Sequence, residues 1–129
     1  MADAAVFLDR DGTLVEDPGY LVDPDALKLL PGVDLAVKAL IQAGYRTVIV
    51  TNQSAVARGM ASEDDVRRVN ERLCDMLAEK GARIDAVYYC PFHPEGTVVE
   101  YRQDSECRKP NPGMLHRAAH ELDLDLASS

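Results

Sequence analysis

Residues 6–17 read VFLDRDGTLVED, and the fold turns on how that stretch is understood. Val6, Phe7 and Leu8, with Ala4 and Ala5 before them, form an apolar run of strand length. Two aspartates follow, with one residue between them. A buried strand excludes unpaired carboxylates, so Asp9 and Asp11 are paired, solvated, or placed for chemistry. As a strand over 4–9, the run ends at Asp9, and Asp11 falls in the turn set up by Gly12. Bare D-x-D leaves a solvated strand-end turn open, because aspartates are common in turns.

Working outward, residues 12–27 (GTLVEDPGYLVDPDAL) are rich in Gly, Pro and Asp and read as a long loop. Residues 45–52 (YRTVIVTN) and 84–90 (IDAVYYC) are two further buried strands. Helical spacing of Val33, Leu35, Ala36, Ala39, Leu40 and Ala43 predicts a helix between Pro31 and Gly44. A second helix runs from the N-cap Ser62 to Gly81, with acids at 63–65 in its first turn and an apolar stripe through Val66, Val69, Leu73, Met76 and Leu77. A third spans 111–125, with Pro112 near its start. Strand and helix alternate, which argues for an α/β domain with a parallel sheet. The whole of 1–129 reads as a single domain. Functional groups of such sheets gather at the carboxyl ends of the strands, where Asp9, Thr51 and Cys90 lie.

Composition narrows the function classes. A net charge of -8 argues against a nucleic-acid partner, which needs a basic surface, but leaves small anionic substrates open. No apolar run approaches the roughly 20 residues that cross a bilayer. The N-terminus meets charge too early for a signal peptide, so a cytoplasmic protein is expected. Cys74, Cys90 and Cys107 make an odd count without a disulfide framework, which favours reduced thiols. His116 and His120 lie four residues apart, a metal-ligand spacing, but with no third ligand nearby they read as a solvated helix face.

FLDRDGTLV resembles the first motif of the haloacid dehalogenase (HAD) superfamily of phosphotransferases, an apolar strand followed by D-x-D-G-T. VIVTN resembles the second motif, a strand ending in Thr or Ser, and CRKPNPGM the third, a lysine before a helix. Within the superfamily the segments DPGYL, LLPGV, AGYRTVIVTNQSAVARG, YYCPFHPEG and YRQDSECRKPNPGM are similar to the D-glycero-D-manno-heptose 1,7-bisphosphate phosphatases, with the histidinol-phosphate phosphatases as near relatives. The resemblance implies a Rossmann-like three-layer fold without a large cap domain. It implies Mg²⁺-dependent hydrolysis of a sugar bisphosphate at its 7-phosphate. Asp9 would be the nucleophile that forms an aspartyl-phosphate, and Asp11 the general acid and base. Thr51, Asn52 and Lys109 would bind the transferring phosphoryl group, and Arg58 and Arg108 the second phosphate. Mg²⁺ would be held by the Asp9 carboxylate and the Asp11 backbone carbonyl. Histidinol-phosphate hydrolysis is the nearest alternative. A catalytically incomplete binding or partner module is the alternative of another class.

Two departures stand out. The family's structural zinc is bound by Cys-x-His and Cys-x-Cys, but here Phe92 and Ser105 occupy two of those positions. Cys90 and Cys107 remain, with His93 one residue off, and such sites normally have four ligands, so structural zinc is not favoured. The fourth motif, an acidic pair after a further strand, has no counterpart before Ser129. The resemblance therefore leads us to expect that the C-terminal strands are missing, that a second chain could supply them, and that residues 1–129 alone have little activity.

Overall fold

The three apolar runs become β1 (Ala5–Leu8), β2 (Arg46–Asn52) and β3 (Ala86–Cys90) in the computed structural model, which describes residues 3–129. They form a parallel sheet in the order β1-β2-β3, with Ala5 opposite Arg46 and Val48 opposite Ala86. The helices are α1 (Val33–Gln42), α2 (Glu63–Glu79) and α3 (Gly113–Leu122). The α/β class and the parallel sheet are as the sequence implies.

Alternation along β2 divides the core in two, because successive side chains of a strand point to opposite faces. Ile49 joins Val37 of α1 and Val69, Leu73 and Leu77 of α2 on one face. Val48 and Val50 join Tyr88, Cys90, and Met114 and Ala118 of α3 on the other. The result is three layers, with α1 and α2 on one side of the sheet and α3 on the other. At the start of α2 the Ser62 hydroxyl accepts from Asp65 N at 3.1 Å, while the Asp65 carboxylate accepts from Ser62 N at 2.9 Å. This reciprocal cap satisfies two otherwise orphaned donors.

The structure differs from the sequence reading at three places. The stretch after Gly12 is irregular but not merely a surface loop, since Leu14, Val15, Leu21 and Leu27 are buried in the core beneath α1 and α2. Gly12 adopts a φ of 82° and donates to Val15 O at 2.8 Å, which folds the chain back just past the two aspartates. The third helix ends at Leu122, Asp123 takes a left-handed conformation, and Asp125 N then donates to Asp3 O at 2.8 Å. The chain thereby returns to the β1 edge instead of continuing as helix. Finally, Cys90 and Cys107 form a disulfide across 17 residues, with their Cα atoms 5.5 Å apart. The expectation of reduced thiols is corrected for this pair, because the 91–106 loop brings Cys107 back over the end of β3. Cys74 stays free.

Gly113 fixes how this loop meets α3. Its N–H donates to Glu106 O at 2.8 Å, and a Cβ there would lie 2.4 Å from that same oxygen. Any other residue would push the Cys107–Lys109 segment off the helix. Among the described residues, no helix is long and apolar enough to cross a membrane.

Candidate active site

Asp9, Asp11, Thr51, Asn52 and Lys109 line one cavity of about 240 Å³ at the carboxyl end of β1 and β2. Asp17, Gly19, Tyr20, Gln53 and Ser54 complete its wall. Strand geometry brings the first members together: Leu8, the last residue of β1, is in register with Ile49 of β2, so the chain just past β1 runs beside Thr51 and Asn52 at the end of β2. Lys109 arrives from the far loop. Its ammonium lies 3.0 Å from Asp9 Oδ1 and donates to Val50 O at 3.1 Å. The Asn52 amide is the tie that holds it there: Lys109 N donates to Asn52 Oδ1 at 2.9 Å and Asn52 Nδ2 donates to Lys109 O at 3.3 Å.

Around Asp11 the structure reveals residues that sequence reasoning missed. Arg10 is fully buried, with Nε 2.8 Å and Nη2 3.0 Å from the two oxygens of Asp11. Its Nη1 donates to Asn70 Oδ1 at 3.0 Å. Gln53 Nε2 reaches both Asp11 Oδ2 at 3.1 Å and Thr51 Oγ1 at 2.9 Å. The signal was present, since a strand-end arginine flanked by two acids demands partners once buried. Asn70, 60 residues away, gave no such sign.

Arg58 and Arg108 do not line the cavity. Arg58 Nη2 lies 3.4 Å from His93 Nε2, and Arg58 Nε is buried without a partner among the described residues. Burial, with the Arg108 and Arg58 guanidiniums beside it, holds the His93 imidazole below its usual range. The three side chains form a cationic cluster of their own. His93 Nδ1 accepts from Glu95 N at 2.9 Å, so both ring nitrogens are engaged away from the cysteines. With Cys90 and Cys107 bonded to each other, the zinc candidates Cys90, His93 and Cys107 are not brought together as a ligand set. His116 and His120 lie on the exposed face of α3, as expected.

The residues present fit a small hard cation. Among the described residues, Asp9 Oδ2 and the Asp11 backbone carbonyl accept no hydrogen bond, while Asp9 Oδ1 takes Arg10 N at 2.8 Å. Two oxygen donors at a cavity mouth suit Mg²⁺, which uses one or two carboxylates and completes its shell with water and phosphate.

The sequence model of the polynucleotide kinase 3 phosphatase family matches residues 5–128. A D-glycero-beta-D-manno-heptose-1,7-bisphosphate 7-phosphatase of Yersinia pestis is 45% identical over 97% of this chain and 66% of its own length. A D-glycero-alpha-D-manno-heptose-1,7-bisphosphate 7-phosphatase of Burkholderia mallei is 43% identical over 100% of this chain and 68% of its own. Among solved structures, a D,D-heptose 1.7-bisphosphate phosphatase from B. bronchiseptica complexed with magnesium and phosphate superposes with a TM-score of 0.80 at 33% identity. It is covered over 95% of this chain and 65% of that one, so the chain spans about two thirds of the length of such relatives. The chain belongs to the polynucleotide kinase 3 phosphatase family, among the HAD-like phosphatases.

Proposed function

We propose that this chain carries the phosphoryl-transfer site of a Mg²⁺-dependent phosphatase that removes the 7-phosphate of D-glycero-D-manno-heptose 1,7-bisphosphate. The observation that carries the reading is the Lys109 ammonium 3.0 Å from Asp9, beside a second, separately held carboxylate. The likeness to heptose bisphosphate phosphatases supports the substrate class.

Asp9 attacks phosphorus through its carboxylate, while Lys109 neutralises charge on the transferring oxygens. The bond from phosphorus to the sugar oxygen breaks, and Asp11 delivers a proton to that oxygen. Asp11, now a carboxylate, takes a proton from the water that attacks the aspartyl-phosphate, and inorganic phosphate departs. Thr51 contributes a hydroxyl at the same edge, and Asn52 holds the Lys109 backbone in place. Mg²⁺, held by the Asp9 carboxylate and the Asp11 carbonyl, would offset the negative charge gathered there. Arg58 and Arg108 receive the second phosphate, which a guanidinium fork recognises well.

The family also includes an activity named for polynucleotide 3′ ends, but a net charge of -8 speaks for a small anion. The deciding experiment is phosphate release by the full-length protein with Mg²⁺. Heptose 1,7-bisphosphate in both anomers, histidinol phosphate and a 3′-phosphorylated oligonucleotide are compared. Fastest turnover of the heptose bisphosphate is expected. Preference for histidinol phosphate or the oligonucleotide overturns the substrate, and no turnover of any ester leaves a binding module.

A further inference from the structure

Asp11 is held by a buried cation that no substrate needs to touch. Arg10 stands between the two aspartates in sequence, yet its guanidinium turns into the protein and is wholly shielded from water. Burying such a charge costs several kcal/mol unless every proton is paired, and packing alone would be better served by an apolar side chain. Three of its nitrogens have partners: Nε and Nη2 on the two oxygens of Asp11, and Nη1 on Asn70 of α2. Gln53 closes the set by donating to Asp11 Oδ2 and to Thr51.

The lone pairs distinguish the two oxygens of Asp11. Oδ2 accepts from Arg10 and from Gln53, which fills both of its lone pairs. Oδ1 accepts only from Arg10 and keeps one lone pair free. We infer that Arg10, itself oriented by Asn70, is a positioning residue that aims Asp11 and leaves Oδ1 as the one oxygen able to carry the transferable proton. This rests on the reading of Asp11 as general acid and base. The fork matters more than the charge, because only a planar bidentate group fixes the rotation of a carboxylate.

The test separates leaving groups. A sugar alkoxide needs a proton to depart, whereas p-nitrophenolate does not. The first half-reaction of the full-length enzyme is followed in single turnovers on p-nitrophenyl phosphate and on the alkyl phosphomonoester that it hydrolyses best. Asp11→Asn is the control, expected to slow the alkyl ester about 10²-fold or more beyond the aryl ester. Arg10→Lys keeps the charge and loses the fork. It is expected to lower the alkyl-to-aryl rate ratio about tenfold, with KM for the alkyl ester little changed. Asn70→Ala, which leaves Asp11 untouched, is expected to lower the ratio by a smaller factor in the same direction. Should Arg10→Lys fail to fold by circular dichroism, Asn70→Ala decides by the same ratio.

If Asp11→Asn shifts the ratio while the folded Arg10 and Asn70 variants slow both esters equally or neither, the proposal is overturned and the acid–base reading stands. If Asp11→Asn itself leaves the ratio unchanged, or the natural enzyme hydrolyses neither ester, the reading of Asp11 fails and the proposal with it.

Discussion

The strand-end edge and the 90–109 loop meet at Lys109, but different forces hold them in place. At the edge, position follows from backbone: β1 and β2 are paired in register, and Asp9 and Thr51 emerge where the ladder places them. A buried network of Arg10, Gln53 and Asn70 then locks the side chains. The loop has no ladder. It depends on contacts between distant residues: the Cys90–Cys107 disulfide, the Glu106–Gly113 hydrogen bond, the Asn52–Lys109 pair, and the Tyr101 hydroxyl on Glu63. The site thus joins a rigid strand-end half to a loop half held by a few removable ties. Damage at the edge should strike chemistry, whereas damage in the loop should strike stability and binding.

The sharpest break in that contrast comes from Asp9→Asn. With Asp9 as the proposed nucleophile, this replacement removes the covalent step, and turnover by the full-length protein should fall about 10⁴-fold or more, with the fold intact by circular dichroism. Lys109→Met tests the junction. It removes the cation 3.0 Å from Asp9 and leaves the backbone tie to Asn52, so kcat/KM should fall about 10²–10³-fold. A Lys109 variant that kept its activity would place the phosphoryl grip elsewhere.

Cys107→Ser probes the loop alone. A cross-link of this span contributes about 3 kcal/mol to stability in the chain-entropy view, and urea denaturation without reductant should register about that loss. With reductant present, wild type and variant should converge. Thiol titration of the unfolded, unreduced protein should find one free sulfhydryl, Cys74. Finding three would remove the disulfide from the list of ties.

This difference also explains what the sequence could reveal. The strands, the helices and the acidic edge were legible because each depends on local pattern: β-branched runs, a capping serine, a turn glycine after D-x-D. The resemblance to known motifs added Lys109, which no local pattern could have placed beside Asp9. What stayed hidden were partners fixed by tertiary folding. Asn70 looked like one polar residue on a helix, and it became visible only when α2 was laid over β1. The disulfide was misread because odd cysteine counts and an expected cytoplasmic setting point to thiols, while the loop path that brings Cys107 to Cys90 is not written in spacing. Arg58 and Arg108 were expected in the pocket. They gather instead with His93, Arg58 carried there by the turn after β2 and Arg108 by the 90–109 loop.

The smallest effect isolates the weakest tie. Glu63 accepts from Tyr89 at 2.9 Å and from Tyr101 at 2.8 Å, clamping the start of α2 to β3 and to the loop. The hydrogen bond to Glu63 raises the Tyr101 phenol above its ordinary value of 10, and burial together with Glu63 does the same for Tyr89. A folded state that keeps these protons longer than the unfolded chain gains stability below pH 10 and loses it as pH rises through the folded values. Tyr101→Phe should therefore lower the urea midpoint slightly at neutral pH and flatten its decline above pH 10. His93 N also donates to Tyr101 O, so loosening this segment relaxes the cluster of Arg58 and His93. KM for a bisphosphate should then rise about two- to fivefold, while kcat and the kinetics on p-nitrophenyl phosphate stay unchanged. A fall in kcat instead would mean that the loop reaches the attacking edge, and the division between the two halves would not hold.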